Sequence, residues 1–267
     1  MASLLEKITD IVRFAGKNLL TAHDVEATGD VEMKMNDAAN LVTKYDVQTQ
    51  NYIMAELKKL IPSATFIAEE QENDKDAISG EFCFIIDPID GTANFVHDYR
   101  HSCISLAMFS HGVPLYAVIY DPYLDESFTA ERGYGAYLNG KRISVSDREP
   151  SHAMVAFGTA PYKKSTYADA TFNIAKALFL SCRDVRRCGT AALDLAYLAA
   201  GRNDIFFEIV LSPWDIAAGN LLIKEAGGII TNAEGEDIDF SAPSCVLASN
   251  PTVYDEFYKI AKKVLTK

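Results

Sequence analysis

Asp87-Pro88-Ile89-Asp90-Gly91-Thr92 follows an unbroken apolar run, Phe82-Cys83-Phe84-Ile85-Ile86, and the rest of the chain is best read outward from it. An apolar run bounded by charged and turn-forming residues predicts a buried strand. Asp87 is then expected at the strand's end, with Asp90 three residues later after a turn stiffened by Pro88. Gly91 lets backbone approach a ligand, and Thr92 can open the short helix that follows. Two carboxylates and a turn of backbone N–H groups would face one point, as hydrolysis of a phosphate monoester with metal ions requires.

Upstream, Leu4, Leu5, Ile8, Ile11, Val12, Ala15 and Leu19 mark one helical face, with Ser3 and Glu6 placed as a capping box. Residues 23–40 are polar and mixed, a loop or hairpin. A second helix is predicted from about Thr43, carrying Val47, Met54, Leu57 and Ile61 and stopping at Pro62. Thr65 to Ala68 reads as a strand ending in Glu69-Glu70, and residues 71–80 as an exposed, mobile loop. Downstream, Cys103–Phe109 and Leu115–Tyr120 predict a hairpin turning at His111-Gly112, and Asn139-Gly140 is a second tight-turn signal within β-like residues 126–146. From about residue 150 strands and helices alternate, ending in a helix from Thr252. The layout suggests an N-terminal α+β lobe (1–147) and a C-terminal α/β lobe (148–267) integrated into one globular unit.

Lys plus Arg total 25 against 37 Asp plus Glu, a net charge of -12, which opposes non-specific binding to a nucleic-acid backbone. The same balance suits carboxylates that hold cations, although ordinary acidic solubility accounts for it equally well. Cys83, Cys103, Cys182, Cys188 and Cys245 form no CxxC pair, so reduced thiols are expected rather than a disulfide or zinc framework. Charged residues Glu6, Lys7, Asp10 and Arg13 break any signal-peptide core, and no apolar run approaches the ~20 residues that cross a bilayer. A soluble cytoplasmic protein is the expectation.

Acidic residues gather at element ends: Glu69-Glu70, Asp87 with Asp90, Asp46 in the first turn of the second helix, and Asp215 in the first turn of the helix opened by Pro213-Trp214. Taken singly, Asp46 and Asp215 are accounted for by favourable placement against the helix macrodipole. Asp121-Pro122 with Asp125 resembles the opening motif but lacks Gly-Thr, and reads as an ordinary turn. His97 and His101 are spaced i,i+4 without the Glu of a zincin, and Gly133-Tyr134-Gly135 lacks a third glycine. Arg186-Arg187 suits an anion or an acidic neighbour equally well.

These residues resemble the inositol monophosphatase family of Mg²⁺-dependent, lithium-sensitive sugar phosphatases. DPIDGT at 87–92 is similar to its first signature and Trp214-Asp215-Ile216-Ala217-Ala218-Gly219 to its second; Leu41-Val42-Thr43 with Asp46, Ala68-Glu69-Glu70 and Gly189-Thr190-Ala191-Ala192 match in order. The resemblance covers nearly the whole chain and implies a five-layered αβαβα sandwich of the α+β class, with the site between two lobes. It further implies that Glu69, Asp87 and the Ile89 carbonyl hold a first Mg²⁺, and Asp87, Asp90 and Asp215 a second. A third, weaker ion would lie near Glu69, supported by Glu70. Asp46 and Thr92 would position and deprotonate the attacking water, with Glu69 also in the catalytic set, and Gly91 and Thr92 amides would hold phosphate.

Glu208 takes the position from which inositol-type members bind sugar hydroxyls, and that substrate role is preferred over a surface acid at a strand end. Ala93, Asn94, Thr190, Ala191 and Ala192 would line the same pocket. The family's loop lysine corresponds to Lys34, one residue further from the LVT segment than usual. The implied substrate is a small sugar or polyol phosphate, first inositol monophosphate, with lithium as an uncompetitive inhibitor and a homodimer as the common assembly. Fructose 1,6-bisphosphate, a nucleotide 3′-phosphate or NADP would need further anion-binding groups, which Arg186, Lys163 or Lys164 would supply. A partner-binding regulatory protein on the same fold is the alternative from a different class.

Overall fold

Ser3 and Glu6 form the expected capping box: the Glu6 amide donates to Ser3 Oγ at 3.1 Å and the Ser3 amide to Glu6 Oε2 at 2.6 Å. In the computed structural model, which describes residues 2–22, 25, 30–34, 37 and 41–266, this cap opens helix α1 (Leu4–Leu19). Ile8, Val12, Ala15 and Leu19 lie on its buried face, as a 3.6-residue period requires. Strands β1 (Val31–Met33) and β2 (Leu41–Thr43) pair antiparallel, the hairpin alternative for residues 23–40; residues 23, 24, 26–29, 35, 36 and 38–40 lie outside the described residues. Thr43 caps α2 (Lys44–Leu60). Here one expectation fails. Val47 is 42% exposed, and α2 instead turns Asp46, Thr49, Gln50, Ile53 and Leu57 inward, because part of its inner face looks onto a polar cleft rather than onto core.

The larger sheet runs in order β3 (Thr65–Ala68), β4 (Cys83–Asp90), β5 (Cys103–Ser110), β6 (Val113–Asp121), β7 (Glu126–Glu131), β8 (Gly135–Leu138) and β9 (Lys141–Ile143). Its first pair is parallel and the rest antiparallel. The short helix α3 (Thr92–Val96) separates β4 from β5. Both tight turns carry positive φ at both positions, His111 49° with Gly112 78° and Asn139 47° with Gly140 77°, the geometry that matches strand twist. Asp121 accepts from the amides of Tyr123 and Leu124, so the second DP segment is the turn its sequence suggested.

A second sheet has the order β11 (Asp184–Arg186), β10 (Met154–Phe157), β12 (Ile205–Leu211), β14 (Ser244–Ser249), β13 (Ile229–Thr231). Helices α4 (Lys164–Phe179), α5 (Ala191–Ala199) and α6 (Pro213–Glu225) alternate with its strands as far as β13, and α7 (Tyr254–Leu265) follows β14. Side-chain alternation sorts the strands between cores. Cys83 and Ile85 of β4 face the core built with α5 and α6, whereas Phe84 and Ile86 face α1 and α2. Phe206 of β12 joins the α5–α6 core, while Ile205 and Phe207 pack on the side of α4 and α7. The layers are thus α1–α2, the larger sheet, α5–α6, the smaller sheet and α4–α7, the αβαβα order expected.

Two further differences from expectation have local causes. Residues 71–80 contain a 3-10 turn, Lys75–Ser79, and Asn73 both accepts from the Ala68 amide at 2.9 Å and donates to the Ala68 carbonyl at 2.8 Å. One side-chain amide therefore stands in for a strand neighbour, and the segment is no free loop. β4 does not stop at Asp87 but continues through Asp90, with Asp87 opposite Ser105 and Asp90 opposite Cys103. That is three steps against two, so Pro88 sits in a bulge, where its missing N–H costs no ladder bond. The five cysteines are free thiols, as expected of them.

Candidate active site

The bulge aims Asp87 and Asp90 at the start of α6, and ligand atoms of Asp87, Asp90 and Asp215 all lie within 4.8 Å of one another. Each carboxylate is held by a backbone donor through one oxygen. The Ile89 amide donates to Asp87 Oδ1 at 3.0 Å, the Ala192 amide to Asp90 Oδ2 at 2.7 Å, and the Ser212 amide to Asp215 Oδ2 at 2.7 Å. Asp46 is fixed likewise: its Oδ2 accepts from the Thr43 amide at 2.7 Å and from Thr43 Oγ1 at 2.6 Å. Asp46 and Asp215 are therefore helix caps, as their positions alone suggest, and the cap leaves each a second oxygen for the cleft. Capping and function are not alternatives here.

No carboxylate of the Asp87–Asp90–Asp215 trio forms an ion pair among the described residues. Burial, then mutual repulsion among the acids, pushes Asp87 and Asp215 well above the usual carboxylate range. Burial raises Asp90 to about 7 against the pull of the Ala192 amide, and raises Asp46 to about 7 with Glu69 and Glu70 adding to it. Crowded buried acids of this kind need a counter-charge to ionise together. The all-oxygen donor set of Asp87, Asp90 and Asp215 suits a hard divalent cation such as Mg²⁺.

Glu69 and Glu70 lie at the end of β3 beside this trio. Lys34 Nζ donates to Glu69 Oε1 at 2.8 Å and to Glu70 Oε1 at 2.6 Å, which places the loop lysine at that corner. The Glu70 amide is tied to Gln50 Oε1 at 2.9 Å, one reason α2 turns a glutamine inward. Thr92 Oγ1 stands 3.3 Å from Asp46 Oδ1 and 3.1 Å from the Ile89 carbonyl, both within donating reach. Gly91 has φ 89°, and a Cβ there would come 2.6 Å from Thr190 Oγ1, so only glycine lets the turn pass this close to α5. It precedes α3 without a side-chain cap, leaving the first helical amides free to meet an anion.

The cleft is lined further by Ala93, Asn94, Thr190, Ala191 and Glu208, which the structure brings together. The donors of Asn94 and Thr190 are engaged. Asn94 Nδ2 donates to the carbonyls of His101 and Cys188 at 2.8 and 2.9 Å, and Thr190 Oγ1 to the His101 carbonyl at 2.8 Å. These bonds stitch residues 94–101 to residues 188–190 under the cleft. Ala192 contributes its amide to Asp90 rather than a surface to the pocket. Glu208 is no surface acid: it is 7% exposed, its Oε1 accepts from the Ala160 amide at 2.7 Å, and burial followed by Asp215 pushes it up to about 7.

Sequence reasoning missed several lining residues. Arg187, not Arg186, reaches the cleft; Arg186 folds back onto Asp184, and Lys163 and Lys164 do not line it. Asp194 and Tyr162 also line it. The signal for Asp194 was an acid inside the otherwise apolar run of α5, where a charge needs a reason to be buried. Burial, with Asp90 and Glu208 nearby, drives its carboxyl well above the usual range. Tyr162 carries no sequence signal of this kind, whereas Arg187 belongs to the Arg186-Arg187 pair already marked as suited to an anion or an acidic neighbour.

Residues 2–266 match the sequence model of the inositol monophosphatase family. The chain is 40% identical over 234 residues to the Nus factor SuhB of Escherichia coli K12, covering 88% of this chain and 87% of that protein. It is 38% identical over 246 residues to the inositol-1-monophosphatase of Rhizobium meliloti, covering 92% and 91%. The crystal structure of extragenic suppressor protein suhB from Bartonella henselae superposes with a TM-score of 0.88 at 33% identity, over 98% of this chain and 99% of that one. Sequence, fold and the disposition of the acids lead to one assignment: the chain belongs to the inositol monophosphatase family.

Proposed function

We propose that the protein is a Mg²⁺-dependent phosphatase that hydrolyses the monophosphate ester of a small polyol, inositol monophosphate first among them. The observation that carries this is the cluster of Asp87, Asp90 and Asp215 within 4.8 Å, set beside the open amides at the start of α3. Glu69, Asp87 and the Ile89 carbonyl would hold one Mg²⁺, and Asp87, Asp90 and Asp215 another. Bound there, Mg²⁺ supplies charge neutralisation for phosphate and leaving group and acidifies the attacking water.

The chain's own residues do the rest. Gly91 and Thr92 amides orient the phosphate. Thr92 Oγ1, while donating to Asp46 Oδ1, presents a lone pair to the water and accepts its proton as it passes its own to Asp46. Asp46, tied to Thr43 through Oδ2, keeps Oδ1 turned to Thr92 to take that proton. Glu208 accepts a hydrogen bond from a hydroxyl of the polyol.

The test is Asp90→Asn. Asn can keep the Ala192 amide satisfied through its carbonyl oxygen, so the fold should persist while one ligand charge is lost. Phosphate release from inositol 1-phosphate with Mg²⁺ is expected to fall at least 100-fold; wild-type rates would overturn the assignment. Running fructose 1,6-bisphosphate, 3′-AMP and NADP beside it separates the related activities. A second reading, a partner-binding regulator, draws on the likeness to a protein named as a Nus factor; a wild-type chain inactive on the whole panel favours it.

A further inference from the structure

Tyr162 has no role in the chemistry above, yet it lines the same cleft as Glu208 and Asp215. The residue is 37% exposed, and its hydroxyl makes no hydrogen bond among the described residues. The other uncharged side-chain donors lining the cleft are committed. Thr92 is held by Asp46 and Ile89, Asn94 by the carbonyls of His101 and Cys188, and Thr190 by the His101 carbonyl. Arg187 places Nε and Nη2 on Thr159 Oγ1 at 3.3 and 2.9 Å. Glu208 and Asp194 bring only carboxylates. Tyr162 is therefore the one uncharged side-chain donor lining the cleft without a partner among the described residues.

The mount of this phenol is rigid and shared with Glu208. Ala160 holds a left-handed φ of 39° although it is an L-residue, and it is only 1% exposed. Its amide bonds Glu208 Oε1 at 2.7 Å, while its carbonyl accepts from the Lys163 amide at 2.7 Å and closes the 3-10 turn Pro161–Lys163. A left-handed non-glycine residue persists only where its surroundings fix it, and these two bonds do so. The backbone that carries Tyr162 is thus tied through Ala160 to Glu208, so a donor and an acceptor border the same end of the cleft.

We propose that Tyr162 is a specificity residue of the leaving-group subsite, its hydroxyl donating to one oxygen of the polyol while Glu208 accepts from another hydroxyl. The inference rests on the polyol-phosphatase reading and names what that reading's substrate must offer at that end: two oxygens, one to accept and one to donate a hydrogen bond. Burial, with the carboxylates of Asp215, Glu208, Glu69 and Asp90 around it, raises the phenol's pKa, so it keeps its proton throughout the neutral range and acts as a donor. A second phosphate at this end would meet Glu208 and Asp194 as well as Arg187, so the constellation favours hydroxyls there.

The experiment compares Tyr162→Phe with the unmutated enzyme on inositol 1-phosphate and on p-nitrophenyl phosphate, whose leaving group has no hydroxyl to recognise. Loss of one neutral hydrogen bond is expected to raise KM for inositol 1-phosphate about 3- to 10-fold, with kcat near wild type. KM for p-nitrophenyl phosphate should not move. An unchanged KM for inositol 1-phosphate overturns the proposal, and so does an equal rise on both substrates, which would mark a merely structural role. If the unmutated enzyme hydrolyses p-nitrophenyl phosphate but no polyol phosphate, the functional reading itself falls, and the Tyr162 assignment with it. That outcome is distinguishable because it needs no variant.

Discussion

Gly158→Ala isolates the placement of Glu208 from every other feature of the cleft. A Cβ at position 158 would lie 1.8 Å from Glu208 Oε2 and 2.0 Å from its Cδ. Backbone movement cannot easily relieve this, because the Gly158 amide is tied to the Phe207 carbonyl at 3.0 Å. Nor does the backbone resist alanine for its own sake, since Gly158 does not occupy the left-handed region. The carboxylate must swing away and lose its 2.7 Å bond from the Ala160 amide. Leaving that buried N–H unpaired costs about 1–3 kcal/mol, and the displaced acceptor no longer meets the polyol. Steady-state kinetics should show kcat/KM for inositol 1-phosphate down by roughly 5- to 100-fold, with p-nitrophenyl phosphate nearly unaffected. A double-mutant cycle sharpens the test: in a Glu208→Ala background the Gly158 substitution should cost almost nothing. Additive losses in that cycle, or wild-type kinetics for Gly158→Ala alone, would refute the reasoning.

The other expectations are simpler. Asp46, Asp90 and Glu208 each have a folded pKa of about 7, above ordinary values of 3.8, 3.8 and 4.5. Between about pH 4 and 7 the folded state therefore binds more protons than the unfolded one, and stability from these groups is lost as pH rises through 7, by at most about 3–4 kcal/mol each. Thermal melts in EDTA should accordingly show a falling Tm from pH 5 to pH 8, and added Mg²⁺ should raise Tm more at pH 8 than at pH 5; equal shifts at both would count against a cation relieving the crowded acids. Asn94→Ala strips donors from the His101 and Cys188 carbonyls and should cost about 2 kcal/mol, lowering Tm by several degrees, an effect absent if those bonds are incidental. Lithium should inhibit uncompetitively with respect to inositol 1-phosphate, and inhibition competitive with substrate would argue against a second metal site at Asp90 and Asp215.

Much of this was legible because local rules and tertiary structure agree. The Ser3 cap, the Gly-containing hairpin turns and the apolar strand before Asp87 each follow from a short stretch, and the acids at element ends were visible as a set. What escaped the sequence depends on partners far along the chain. Val47 follows the helical period, but the inner face of α2 must also supply Asp46 and Gln50 to Thr92 and Glu70. The bulge at Pro88 is fixed by pairing with Ser105 and Cys103, not by the motif itself. Asn94 and Thr190 look like substrate contacts until their donors are traced to carbonyls at 101 and 188. Tyr162 owes its place to a left-handed alanine that no residue pattern announces.

The backbone anchoring of the acids has a consequence for how this site can change. Asp46, Asp87, Asp90 and Asp215 each satisfy a main-chain N–H that would otherwise be stranded. Asparagine presents an oxygen at the same place, so it can keep the scaffold while deleting the charge; alanine removes both. Electrostatics and architecture are thus separable at these positions, and single-step changes from Asp to Asn offer this fold a route to silence its chemistry while preserving its shape.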